Sequence, residues 1–372
     1  MKLQAKDIKF ICGKISSAVD TSSRSVLTDV LQLQVENKIL KISVTNQEYF
    51  VEISCKVDTD EKFNATVEAM LFINLIEKIT TETIQLSING NTLIVKGNGT
   101  YKLPLIFNED KMLEVPKINI VNVTNQFSLS SNILRSLITY NSKELLKGTS
   151  FNPIQKLYYM DDKGALTFTS GACINTFSLS QEVALLLTDK IVKLFGLFDA
   201  DSLINFEFGV DEISKDISQT KVKFSTKDIS ITSIINNDAD MLKSFPVAAI
   251  RDRLNADYDY SIKASKNSIL QALDRLSLFP STSKLFHGIL FDIHADKIVL
   301  SDISRENSEE ISLLSTDSSI DEKYSMVVDL DVLKLTLATQ MDADVVIKFG
   351  NKQAIVLSNN NINVIMPEII ES

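Results

Sequence analysis

The sequence predicts an α+β protein made of one unit repeated three times. Three observations carry this. First, the passages Leu93–Leu105, Val222–Ser233 and Ile355–Met366 each read as a strand, a short polar turn and a second strand. Each closes a block of roughly 120–135 residues, a spacing that marks an internal repeat. Second, the elements before each passage run in one order: strand, helix, strands, helix, strands. Third, the strands are joined by tight hairpins, which make antiparallel sheets and separate this chain from a parallel doubly wound fold. The expected domains are 1–120, 121–250 and 251–372. The pattern pauses at 116–124 and 240–257, the two expected linkers.

In the first block, Leu3, Ile8, Ile11, Cys12, Ile15 and Val19 recur at spacings of three and four, one apolar helix face. Alternating strands follow at 31–35, 39–44 and 49–55. Met70, Leu71, Ile73, Leu75, Ile76 and Ile79 mark a second helix. The strand at 84–88 then runs into Asn89-Gly90, a hairpin turn that tolerates positive φ. In the second block, a strand at 127–129 leads to Ser130, a helix cap, and to Ile133, Leu134, Leu137 and Ile138 on one helical face. Strands at 156–159, 165–169 and 174–179 precede a helix over 181–195, and 203–208 matches 84–88. The third block has strands at 258–263, 288–293, 297–301, 310–314 and 345–349. Its first helix carries Ile269, Leu270, Leu273 and Leu276, and its second Val332, Leu333, Leu335 and Leu337.

At 372 residues and 44% hydrophobic content, the chain has material for two or three cores. Its net charge of −10 speaks against a generally basic nucleic-acid binder. It leaves open a body whose cations gather on one face. Cys12, Cys55 and Cys173 are far apart and form no CxxC, which reads as free thiols in a reducing cytoplasm. The first residues do not form a signal peptide, and no apolar run reaches the ~20 residues of a membrane span. A cytoplasmic location is expected.

Catalytic chemistry is sparse. His287 and His294 have no cysteine or carboxylate at metal-ligand spacing, so no metal and no cofactor is expected. Asp161-Asp162, Asp238–Asp240 and Glu309-Glu310 read as solvated turn carboxylates. Walker A, GxGxxG, GxSxG and HExxH motifs are missing. No enzyme is expected.

The charge has a direction. The first helices hold Lys6, Lys9 and Lys14 against Asp7 and Asp20; Arg135, Lys143 and Lys147 against Glu144; and Lys263, Lys266 and Arg275 against Asp274. The second helices are neutral or acidic. A shared face of first helices would be a mildly basic lining, able to attract phosphates without reading bases.

This order of units resembles the bacterial-type sliding clamp, the β subunit of the replicative DNA polymerase. Local anchors are Ser23-Arg24-Ser-Val-Leu27, Thr169-Ser-Gly171-Ala-Cys-Ile174, Ser244-Phe-Pro246, Phe286-His-Gly288 and Val364-Ile-Met-Pro367. The resemblance covers the whole chain. It implies a head-to-tail homodimeric ring with helices lining the hole, threaded by double-stranded DNA in a sequence-independent way. Such a ring tethers the DNA polymerase and gives processivity in replication, with polymerase and clamp loader docking through short linear peptides. Arg24 matches a DNA-contacting arginine of the family. Lys9, Lys14, Arg135, Lys143, Lys147, Lys266 and Arg275 follow from helix placement.

The implied peptide pocket uses Thr169, Gly171, Ile174, Pro246, Ile250, Arg251, Phe286, Val332, Val364, Met366 and Pro367. The implied dimer joint brings Tyr101, Leu103 and Leu105 of one chain near Leu278 and Phe279 of the other. The chain departs from the family where a His-Arg pair is Ala172-Cys173, and where the C-terminus is the acidic Met366–Ser372. It also departs around Ser150-Phe151-Asn152, where the family has a DNA-touching tyrosine pair. Such drift suits a phage-encoded or divergent version with a different peptide preference. Two competing readings are a clamp-like scaffold that binds peptides without encircling DNA, and an enzyme with an unrecognised site in a domain cleft.

Overall fold

The computed structural model describes residues 1–21, 25, 27–59, 61–145, 152–169, 171–214, 217–279, 287–316, 323–340, 342–350, 354–359 and 362–367. The first repeat runs β1 (Lys2–Gln4), α1 (Ala5–Ile15), β2 (Val30–Glu36), β3 (Ile39–Thr45), β4 (Tyr49–Lys56), β5 (Phe63–Glu68), α2 (Ala69–Lys78), β6 (Thr83–Asn89), β7 (Thr92–Lys96) and β8 (Thr100–Pro104). A short pair, β9 (Phe107–Asn108) and β10 (Lys111–Met112), follows. The second repeat runs β11 (Val123–Ser130), α3 (Ser131–Thr139), β12 (Leu157–Asp161), β13 (Gly164–Phe168), β14 (Ala172–Thr176), β15 (Ala184–Thr188), α4 (Asp189–Leu194), β16 (Leu203–Ser214), β17 (Ile217–Ser225) and β18 (Ile229–Ile235). Helices α5 (Ala239–Ser244) and α6 (Val247–Leu254) come next. The third runs β19 (Tyr260–Ser265), α7 (Lys266–Leu276), β20 (Gly288–Ile293), β21 (Lys297–Asp302), β22 (Ser308–Thr316), β23 (Tyr324–Asp329), α8 (Leu330–Thr339), β24 (Asp344–Phe349), β25 (Ala354–Asn359) and β26 (Ile362–Pro367). Strand, helix, four strands, helix, three strands thus occurs three times. The three passages that first suggested a repeat are the hairpins β7–β8, β17–β18 and β25–β26.

The chain forms two compact units, Met1–Arg135 with Lys190–Asn237, and Ser136–Asp189 with Asp238–Ser372. The first unit holds a sheet in the order β1-β6-β7-β8 and an eight-stranded sheet, β11-β16-β17-β18-β4-β3-β2-β5. Its seam is β18 on β4, with Ile231 opposite Val51. Helix α1 buries Ile8, Ile11, Cys12 and Ile15, and α2 buries Phe72, Ile73 and Ile76. Burial and the Glu77 carboxylate push the Cys12 thiol up to about 12. Burial with Asp7 and Asp228 pushes Cys55 to about 11, so both thiols stay protonated near neutrality.

The second unit holds a twelve-stranded sheet, β15-β12-β13-β14-β26-β25-β24-β19-β22-β21-β20-β23. Its seam is β14 on β26. The core under α7 and α8 gathers Ile269, Leu273, Phe291, Leu333, Ile347 and Phe349. The middle repeat is shared: β11 and β16–β18 lie in the first unit, β12–β15 in the second. Antiparallel pairing joins the repeats, β18 to β4 and β14 to β26.

Several elements differ from expectation. The helix expected over 181–195 begins at Asp189, because Ala184–Thr188 is the strand β15, paired with β12 from Leu157↔Thr188 to Asp161↔Ala184. An apolar run such as Leu185–Leu187 fits strand or helix by pattern alone, and the sheet edge at β12 decides it. Strands β5 and β23, just before the other second helices, were likewise not anticipated. Helix α3 starts where expected, the Ser130 hydroxyl accepting from the Asn132 amide at its start as a cap should. The linker expected at 240–257 is largely helical, taken up by α6 and all but the first residue of α5.

The first linker is pinned. The Asp211 carboxylate accepts from the amides of Val121 (3.1 Å) and Asn122 (3.2 Å) and from Lys221 Nζ (2.9 Å). Lys221 also donates to the Asn119 carbonyl. Gly209 leaves room for this crossing, since a Cβ there would collide with the Asn122 carbonyl oxygen.

Candidate functional site: the basic first helices and a pocket beside helix α6

On α1 the buried stripe turns Lys6 and Phe10 to solvent, with Lys9 and Lys14 half-buried. Lys14 Nζ lies 2.7 Å from Asp199 Oδ1 and 4.6 Å from the centre of the Phe10 ring, so its charge is largely met within the fold. Lys9 has no ion-pair partner among the described residues. On α3, Arg135 is exposed and its Nη2 donates to the Gly196 carbonyl at 3.3 Å. Lys143 is exposed on a 3₁₀ turn, Asn141–Glu144, after α3. On α7, Lys266 donates to the Gln340 carbonyl at 2.7 Å, closing the end of α8. Arg275 forks onto Glu309, which raises the guanidinium's pKa and lowers that of the carboxylate. The expected cations therefore split. Lys14, Lys266 and Arg275 are engaged internally, Arg135 is exposed but bound to Gly196, and Lys9 and Lys143 have no ion-pair partner among the described residues. Arg24 and Lys147 lie outside the described residues.

The pocket is built by α6 and three strands. Asp238 opens α5 by accepting from the amides of Asp240 and Met241. Phe245 follows, buried between Tyr159 (centroids 5.3 Å apart) and Phe168 (5.2 Å, edge to face). This aromatic anchor fixes where Pro246 starts α6, and the Ile250 amide donates to the Pro246 carbonyl at 3.0 Å. Arg251 holds the helix down with a two-pronged bond to Asp161, 2.7 and 2.8 Å. That bond raises the Arg251 pKa despite partial burial. Positions 246, 249, 250 and 253 then share one helical face.

Opposite them, Phe168, Ala172 and Ile365 are direct cross-strand neighbours on β13, β14 and β26. Between helix and strands lies a cavity of about 230 Å³, lined by Phe168, Thr169, Gly171, Ala172, Pro246, Ala249, Ile250, Arg253 and Ile365. It is apolar apart from Thr169 and Arg253.

Four expected pocket residues, Thr169, Gly171, Pro246 and Ile250, meet at this cavity. Ile174 lies in the adjoining apolar cluster without reaching the lining. Arg251 is spent on Asp161. Val364 and Met366 point into the core beneath α7 and α8, with Val332 packed against the same core. The strand alternation that buries Val364 and Met366 turns Ile365 to the cavity. Pro367 ends β26, and Phe286 lies outside the described residues. Phe168, Ala172, Ala249, Arg253 and Ile365 were not anticipated. The period-two pattern of β26 and the period of α6 were the signals for three of them.

Leu103 and Leu105, expected at a dimer joint, are buried in the first unit's own core, whereas Tyr101, Leu278 and Phe279 are exposed, Leu278 by 80%. The paired carboxylates are not all solvated turns: Asp161 is buried against Arg251, and Glu309 and Glu310 sit on β22, bound to Arg275 and Lys297. Among the described residues no three His, Cys, Asp or Glu side chains gather as a metal site, and no helix is long and apolar enough to cross a membrane.

Residues 9–112 match the DNA polymerase III beta subunit, N-terminal domain. The beta sliding clamp of Mycoplasmopsis pulmonis is 27% identical over 152 residues, 39% of this chain and 36% of that protein. The chain thus aligns with little more than a third of that relative's length. Among solved structures, the DNA polymerase III β subunit of Pseudomonas aeruginosa superposes with a TM-score of 0.83 at 13% identity, each chain covered fully. The Helicobacter pylori β clamp bound to a DNA ligase peptide gives 0.78 at 12%, again over both whole chains. Over the full chain the fold is that of the bacterial sliding clamps. More particularly, the sequence likeness lies in the first repeat, where residues 9–112 match the N-terminal domain of the DNA polymerase III β subunit.

Proposed function

We propose that this chain is a DNA sliding clamp. Two copies close head to tail around duplex DNA and tether a replicative polymerase, making replication processive without any catalysis by the clamp, in the cytoplasm. Each chain contributes three domains with the bounds 1–120, 121–250 and 251–372.

The observation that carries the reading is a rule of strand pairing with one vacancy at each end. The last strand of the second repeat, β18, pairs with β4 of the first, and the last strand of the third, β26, pairs with β14 of the second. By the same rule β8, last in the first repeat, needs the equivalent of β4 and β14, which is β22. Among the described residues β8 pairs only with β7, and Ser308–Ser312 of β22 pair only with β21. Both edges are mostly exposed. Two open edges that fit one another invite a second copy. Tyr101 on β8 and Leu314 on β22 are exposed apolar groups suited to that joint, with Leu278 and Phe279 as candidates for its margin.

Topological linkage explains how an acidic protein can serve DNA. A ring does not need tight phosphate contacts, and a lining that includes Lys9, Arg135 and Lys143 suffices for loose, salt-sensitive attraction. The cavity beside α6 receives short peptides of polymerase and loader.

The test is retention on DNA after loading. The ring predicts that the protein stays on nicked circular duplex and is lost when the circle is linearised; equal retention on both forms would refute it. A peptide-binding scaffold without DNA is favoured by the internal pairing of Lys14, Lys266 and Arg275. Reversing Lys9 and Lys143 to glutamate separates the two, because only the clamp loses DNA loading.

A further inference from the structure

The cavity beside α6 carries one feature that its apolar walls do not explain. Arg251 and Arg253 both lie in the last turn of the helix, where cations suit the helix dipole. Arg251 is consumed by Asp161. Arg253 is on the helical face that lines the cavity, is exposed, and has no ion-pair partner among the described residues. Its own carbonyl accepts from the Tyr258 hydroxyl at 2.8 Å, which fixes the backbone there and leaves the guanidinium available. A planar fork of donors at the rim of an apolar site matches a carboxylate. The protein's net charge of −10 would repel acidic peptides in general, so any preference for them must be local.

We propose that this cavity selects partner peptides that carry a carboxylate beside their apolar residues, and that Arg253 is the group that reads it. The inference rests on the proposed role of the cavity as the partner-peptide site. The apolar side chains occupy the space between Ile250 and the Phe168–Ala172–Ile365 row, and the carboxylate pairs with Arg253 at the mouth. Desolvation beside the apolar wall makes the pair stronger than an open surface contact.

Two labelled peptides with blocked ends, Ala-Leu-Glu-Leu-Phe and Ala-Leu-Gln-Leu-Phe, test this by fluorescence anisotropy on the full chain. At low salt the wild type should prefer the Glu peptide by roughly tenfold, the scale of one charge-assisted hydrogen bond. The preference should shrink with added salt. Arg253→Gln should abolish the preference, so that the two peptides bind alike, and Arg253→Glu should reverse it. Equal binding of the two peptides by the wild type, or a preference that survives in Arg253→Gln, overturns the inference while the pocket stands. Failure of both peptides to bind removes the pocket reading and this inference with it. A change of oligomeric mass in Arg253→Glu by light scattering would put a second copy of the chain on the site and also overturn it.

Discussion

At the scale of single residues, polar contacts fasten the segments that join the repeats. Asp211 is the clearest case. Its bond from Lys221 lowers its pKa, burial opposes this, and the amides of Asn122 and Val121 add to the lowering. A carboxylate whose folded pKa is depressed contributes stability above its unfolded pKa of about 3.9 and loses it as pH falls through the folded value. Hydrogen exchange at the Val121 and Asn122 amides should therefore quicken in acid beyond the intrinsic trend; Asp211→Asn should exchange fast throughout and lack that step. Arg251 and Asp161 play the same part for α6. With Arg251 24% exposed on its side chain, Asp161→Ala should cost roughly 1–3 kcal/mol in denaturant unfolding, below a fully buried pair. Neither contact was legible in the chain. Asp161 and Arg251 are 90 positions apart, and a carboxylate in a turn looks solvated until a distant arginine is folded onto it.

At the scale of elements, periodicity was a good guide wherever one face met a core. The stripe Ile8, Ile11, Cys12 and Ile15 on α1 is buried as its spacing requires, and so are Ile269, Leu273 and Leu276 on α7. The guide failed at Ala184–Thr188, where an all-apolar run carries no period and pairing with β12 makes the strand. On β26 alternation holds, with Val364 and Met366 in the core and Ile365 at the cavity, but because all three are apolar only the pairing with β14 shows which face is which. Helix α6 offers the matching test. Ala249 is exposed at the cavity mouth, so Ala249→Trp should block peptide binding. It should leave the thermal midpoint nearly unchanged, as substitutions on exposed faces do within about 0.5 kcal/mol. A large loss of stability would mean that the helix face packs more tightly than the cavity implies.

At the scale of the whole molecule, the proposed ring follows from a pairing rule that, among the described residues, leaves β8 and Ser308–Ser312 of β22 each with one open edge. Leu278→Glu should then convert a dimer to monomer in light scattering while each chain keeps its circular dichroism. A dimer that survives both this change and Tyr101→Glu would place the joint elsewhere. The α+β class, the threefold order of elements, the faces of most helices and the lack of catalytic motifs can be read from the chain in order. All of these are local: they rest on spacings within about one element, which the chain carries in plain order. Folding settled which strands meet across repeat boundaries, that Lys14, Lys266 and Arg275 are engaged internally, and that Arg251 is held by Asp161. Those depend on contacts between residues far apart in the chain, and a side chain's partner there is set by packing and register that no local pattern encodes.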